Sequence, residues 1–69
     1  MNHNITSKNQ IEKLIQNGVK VFWKNQANEI EMDRKGDLWI VSNLLGYFKT
    51  PMFNSKGILN GKWEDFFTI

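Results

Sequence analysis

Apolar residues recur at Ile11, Leu14 and Ile15, the i, i+3, i+4 spacing of a single helical stripe. Ser7 and Gln10 stand ahead of the stripe as a capping box, and Gly18 follows it as a left-handed stop. The pattern predicts a short amphipathic helix over residues 8–17, held mainly by packing because so short a helix is marginal alone. After Gly18 the period changes to two. In GVKVFWKN, Val19, Val21 and Trp23 alternate with Lys20, Phe22 and Lys24. In the next segment Ile30 and Met32 alternate with Glu29, Glu31 and Asp33. LWIVS lacks clean alternation, as a central strand covered on both faces would. Strands are therefore expected at 19–24, 29–33 and 38–42, joined in an antiparallel meander by the hairpin-length loops 25–28 and 34–37.

From Leu44 the signals are shorter. Gly46, Pro51, Gly57 and Gly61 punctuate the chain, Asn60-Gly61 is a type I′ turn signal, and WEDFFTI reads as a strand or one helical turn, with strand preferred. Pairing of Ile58-Leu59 with part of 62–66 follows from that turn. No repeat, linker or low-complexity tract divides the 69 residues. The expected fold is α+β: one helix packed on an antiparallel sheet of four or five strands, a single domain over 1–69 with a flexible start at 1–6.

Register decides what the basic-aromatic strand means. Setting Trp23 against Ile30 and Val21 against Met32 places Lys24 opposite Glu29, Lys20 opposite Asp33 and Phe22 opposite Glu31. The lysines are then answered within the chain, each pair contributing about 0.2–1 kcal/mol, and a shift of one residue would bury charge. Carried to the third strand, this parity sends Trp39 and Val41 to the core and leaves Leu38 and Ile40 beside Phe22. The expected partner-binding patch is Phe22, Leu38 and Ile40. Lys20, Lys24, Glu29 and Glu31 form its rim. The tail aromatics Phe48, Phe53, Trp63, Phe66 and Phe67 are expected to cover part of it.

Composition trims the functions available. Three Trp, five Phe and one Tyr favour a folded chain. With no cysteine, there is neither a disulfide nor a thiolate metal site. The net charge of +2 is low for a dedicated DNA binder. No apolar run is long enough to span a membrane and no signal-peptide core follows the N-terminus, so the expectation is a soluble, cytoplasmic protein. His3 is the only histidine and lies in the polar start, which leaves no serine–histidine pair. Residues 33–37, DRKGD, lack the alternating oxygen ligands of a calcium loop and read as a polar turn. No phosphate-binding glycine loop is present. Neither catalysis, a metal nor a cofactor is expected. Lys49, Lys56 and Lys62 with Tyr47 and Phe53 form the alternative, a single-stranded nucleic-acid surface built on stacking and phosphate attraction.

The succession of helix, Gly18, VKVFWKN, an acidic alternating strand and DRKGDLWIVSN, covering about residues 11–42, resembles small accessory proteins of phages and mobile elements. The resemblance implies an anti-CRISPR or other anti-defence protein that inhibits a host protein, such as a nucleic-acid-processing defence enzyme, by surface binding. Such proteins share no motif, so no residue role carries over. A nucleotide sponge, its pocket formed between subunits of an oligomer, is the further alternative.

Overall fold

The structure, a computed structural model, describes residues 5–43 and 46–69. Helix α1 runs Lys8–Gln16, one residue short of the expected end. Its capping box is formed: Ser7 Oγ accepts from the Gln10 N–H at 3.4 Å, and Gln10 Oε1 accepts from the Ser7 N–H at 3.1 Å. At the other end Gly18 takes φ +80° and closes a Schellman arrangement. The N–H groups of Gly18 and Val19 donate to the carbonyls of Ile15 and Leu14. Ile5, counted from the sequence with the flexible start, is buried in the core, while residues 1–4 lie outside the described residues.

Five strands follow: β1 Val21–Trp23, β2 Asn25–Met32, β3 Leu38–Ser42, β4 Phe48–Pro51 and β5 Phe66–Thr68. A single 3₁₀ turn, Trp63–Asp65, precedes β5, so WEDFFTI supplies both the helical turn and the strand. All pairings are antiparallel, in the order β4-β3-β2-β1-β5. The expected α+β architecture is therefore present as one small domain, with α1 packed against β1 and β2.

Three local expectations are corrected. Residues 25–28 begin β2 rather than forming a loop; Lys24 alone turns the corner, at φ +63°. Its N–H donates to the Asp65 carbonyl at 2.7 Å, which helps hold a non-glycine residue in the left-handed region. The tight turn of the tail is at Asn54–Gly57, not at Asn60-Gly61. There Asn54 Oδ1 accepts from the N–H groups of Lys56 and Ile58, and Leu59 bridges to Phe53 instead of to 62–66. Strand β4 was not anticipated at all.

The core lies on the helix side of the sheet. Ile11, Val21, Ile30, Leu38, Ile40, Met52 and Phe66 are buried together with Ile5. Trp63 packs between Phe53 and Phe66, with ring centroids 6.2 and 5.9 Å away, and extends this core under the tail. Most of the tail aromatics thus close the helix-side face, and Phe67 alone of that group lies against Phe22, at 5.6 Å.

Candidate binding surfaces

The pairing of β2 with β3 sets Ile30 opposite Ile40 and Met32 opposite Leu38. Leu38 and Ile40 therefore face the core, and Trp39 and Val41 share the outer face with Glu31 and Glu29. This reverses the expected orientation of β3. LWIVS offers apolar residues at both parities, so pairing alone chooses the face. Phe22 pairs with Glu29, two residues from the expected Glu31, because the Lys24 corner inserts an irregularity between Phe22 and Trp23. Phe22 is only 7% exposed. The expected patch of Phe22, Leu38 and Ile40 is thus not a shared surface: all three are buried, on opposite faces.

The charges arrange themselves differently too. Lys20 precedes β1 and Lys24 forms the corner, so neither enters a cross-strand pair with Asp33 or Glu29. Among the described residues the ion pair joins Lys62 to Glu64, at 3.9 Å and well exposed. Lysines meet aromatic faces instead. Lys24 Nζ lies 4.7 Å from the Trp23 ring centroid, Lys49 Nζ 5.1 Å from Trp39, and Lys8 Nζ 5.7 Å from Phe53. Asp33 is engaged by its own turn. Trp39 Nε1 donates to Oδ2 at 3.0 Å, and the N–H groups of Lys35 and Asp37 donate to Oδ1 at 2.9 Å. These donors, Trp39 first, hold the Asp33 carboxyl below its ordinary range, against a smaller opposing effect of desolvation. The loop is the polar turn expected from the sequence.

Of the nucleic-acid alternative, the structure brings together Tyr47 and Lys49, neighbours at the start of β4. Phe53 is half-buried against Trp63, Lys56 lies in the 54–57 turn, and Lys62 is held near Glu64. The five residues do not form one stacking track.

Two features were not foreseen. The first is a cleft of about 450 Å³ on the inner face, beyond the reach of α1. Register explains its floor: Phe48, Ser42 and Asn28 form one row across β4, β3 and β2, and Thr50 and Ile40 lie in the next. Trp23 with Asn60 and Gly61 makes the opposite wall. Asn60 is fixed there by its N–H to the Met52 carbonyl and its side-chain amide to the Pro51 carbonyl, both at 2.9 Å. Gly61, at φ +120°, lies so close to the indole that a Cβ would meet Trp23 Nε1 at 3.1 Å. That Nε1–H is buried with no acceptor among the described residues. Among the described residues no charged side chain lines the cleft. Phe48 had been noticed only as a tail aromatic, and no sequence signal joins it to Trp23, 25 residues earlier.

The second feature is a difference between the two edges of the sheet. Each residue of β4 is exposed, with Phe48 at 60% and neighbouring Tyr47 at 65%. On the β5 edge Phe66 and Thr68 are 3% and 0% exposed.

No family model and no curated protein matches the sequence, and no solved structure matches the fold. Among the described residues no helix is long and apolar enough to cross a membrane.

Proposed function

We propose that this chain is a non-enzymatic binding protein whose inner-face cleft seats an apolar side chain of a partner protein. The observation that carries the reading is the cleft itself: an open hollow with a buried Ile40 floor, aromatic walls from Trp23 and Phe48, and an uncharged polar rim. Its volume of about 450 Å³ exceeds what one large side chain fills, leaving room for flanking backbone. An uncharged lining suits a protein side chain better than phosphate, which favours this reading over single-stranded nucleic acid. Inhibition of a host protein by an accessory protein of a phage or mobile element is the biological setting we propose for a binding domain of this size.

The test is affinity capture from a host lysate with the wild type and two cleft variants. Thr50→Arg places a charge at the cleft from an exposed strand position, and Phe48→Ala removes an exposed wall. Both should lose a protein that the wild type and the outer-face variant Glu31→Ala retain. Retention by both cleft variants would refute the cleft as the seat. Recovery of oligonucleotide whose binding falls steeply with salt would favour the nucleic-acid reading instead.

A further inference from the structure

The hydrogen-bond phase of the sheet shows which backbone groups of β4 are free to pair. The Met52 N–H donates to the Leu38 carbonyl at 3.0 Å, and the Asn43 N–H to the Ala27 carbonyl at 3.1 Å. Antiparallel bonding alternates with period two. Even-numbered residues of β3 therefore bond to β4, and odd-numbered ones to β2. On β4, Phe48 and Thr50 exchange bonds with β3, while the N–H and C=O of Lys49 point away from the sheet; continuing the alternation one residue back turns Tyr47, which immediately precedes the strand, outward as well. Pro51 ends this open stretch, having no N–H and giving its carbonyl to the Asn60 amide. At the opposite edge the same alternation turns Phe66 and Thr68 outward, and both are buried. The sheet thus has one covered edge and one open one.

We propose that the open edge pairs antiparallel with β4 of a second copy about a two-fold axis, Tyr47 opposite the partner's Lys49. The occupant follows from self-complementarity. In this register Tyr47 and Lys49 meet on the outer face at both ends of the ladder, a cation–aromatic pair made twice. Phe48 meets its symmetry mate on the axis, on the inner face. The two exchanging pairs supply four backbone hydrogen bonds and join two five-stranded sheets into one. A register that set Lys49 opposite the partner's Lys49 would oppose like charges, which is destabilising. The two rings that the monomer leaves 65% and 60% exposed become the centre of the interface. They contribute only part of the roughly 1,000 Å² that a specific interface needs, so the dimer forms and dissociates with concentration. It also sets the two clefts on either side of the axis. Phe48 serves both surfaces, as a wall of the cleft and at the axis, whereas Lys49 does not line the cleft, so a change at Lys49 separates loss of the dimer from loss of the cleft's partner.

Register-specific cross-linking tests it, since the chain has no cysteine of its own. In Phe48→Cys the two Cα atoms would face each other at about 4.5 Å, within the disulfide range of roughly 4.4–6.8 Å. In Thr50→Cys they would be about 14 Å apart. Mild oxidation is expected to give a covalent dimer of Phe48→Cys and at least tenfold less of Thr50→Cys. In parallel, sedimentation velocity of the unmodified chain from about 10 μM to 1 mM should show a monomer passing to a dimer. Lys49→Pro removes an outward N–H without touching a β3 bond, so it should leave the circular dichroism spectrum unchanged and abolish the dimer. A monomer at every concentration, equal cross-linking of the two cysteine variants, or a dimer that survives Lys49→Pro would overturn the proposal.

Discussion

Truncating Phe22 and truncating Phe48 delete the same atoms from two strands of one sheet, and the structure predicts different costs. Phe22 is 7% exposed and packed on Phe67 at 5.6 Å; Phe48 is 60% exposed. A buried aromatic removes about 150–250 Å² from water. At about 25 cal/mol per Å² that is on the order of 4–6 kcal/mol, an upper bound because alanine keeps its Cβ. Measured losses for buried Phe→Ala are about 3–5 kcal/mol. For 69 residues the whole stability is roughly 3–10 kcal/mol, so Phe22→Ala should remove from about a third to nearly all of it. Phe48→Ala should cost less than about 1 kcal/mol. Urea titration followed by tryptophan fluorescence compares the two at equal slope. Equal losses, or a loss under about 1 kcal/mol for Phe22→Ala, would refute the assignment of Phe22 to the interior and restore its face as a surface.

Two other positions give separate checks. Gly61→Ala forces a side chain into φ +120° and brings its Cβ to 3.1 Å from Trp23 Nε1; thermal unfolding should report a loss of about 1–3 kcal/mol, and an unchanged midpoint would contradict the contact. Asp33, its folded pKa depressed first by the Trp39 N–H, stabilises the fold above the unfolded Asp value of about 3.9 and loses that contribution as pH falls through the folded value. Stability measured between about pH 5 and pH 2 should fall less steeply in Asp33→Asn than in the wild type, and parallel curves would contradict the assignment.

How far the chain can be read in advance depends on how local each determinant is. The helix was legible because Ser7, Gln10 and Gly18 act within a turn of the residues they stop or start. The core side of β1 and β2 was legible from Lys20 and Lys24, which bracket Val21 and Trp23, and from Glu29 and Glu31, which flank Ile30. The face of β3 was not, because Leu38, Ile40 and Val41 are all buried and only cross-strand pairing distinguishes them. Strand β4 is exposed throughout, so no buried face imprints an alternation on Phe48–Pro51. Asn60-Gly61 carries a turn signal used otherwise: Asn60 ties the tail to β4, and Gly61 makes room for Trp23. The cleft depends on that tie, the Lys24 corner and the open end of β4 together. None of these leaves a pattern within a single segment.

The cleft is the centre of the account, and its most direct test is at Trp23. The side-chain N–H of Trp23 gives its own amide-type signal in a two-dimensional nitrogen–proton spectrum, assignable by Trp23→Phe. With a protein captured by the wild type added stepwise, that signal and the backbone signals of Ser42, Phe48 and Thr50 should shift together and saturate, while those of Glu31 on the outer face stay in place. Binding that leaves the Trp23 signal unmoved and shifts the outer face instead would contradict the account.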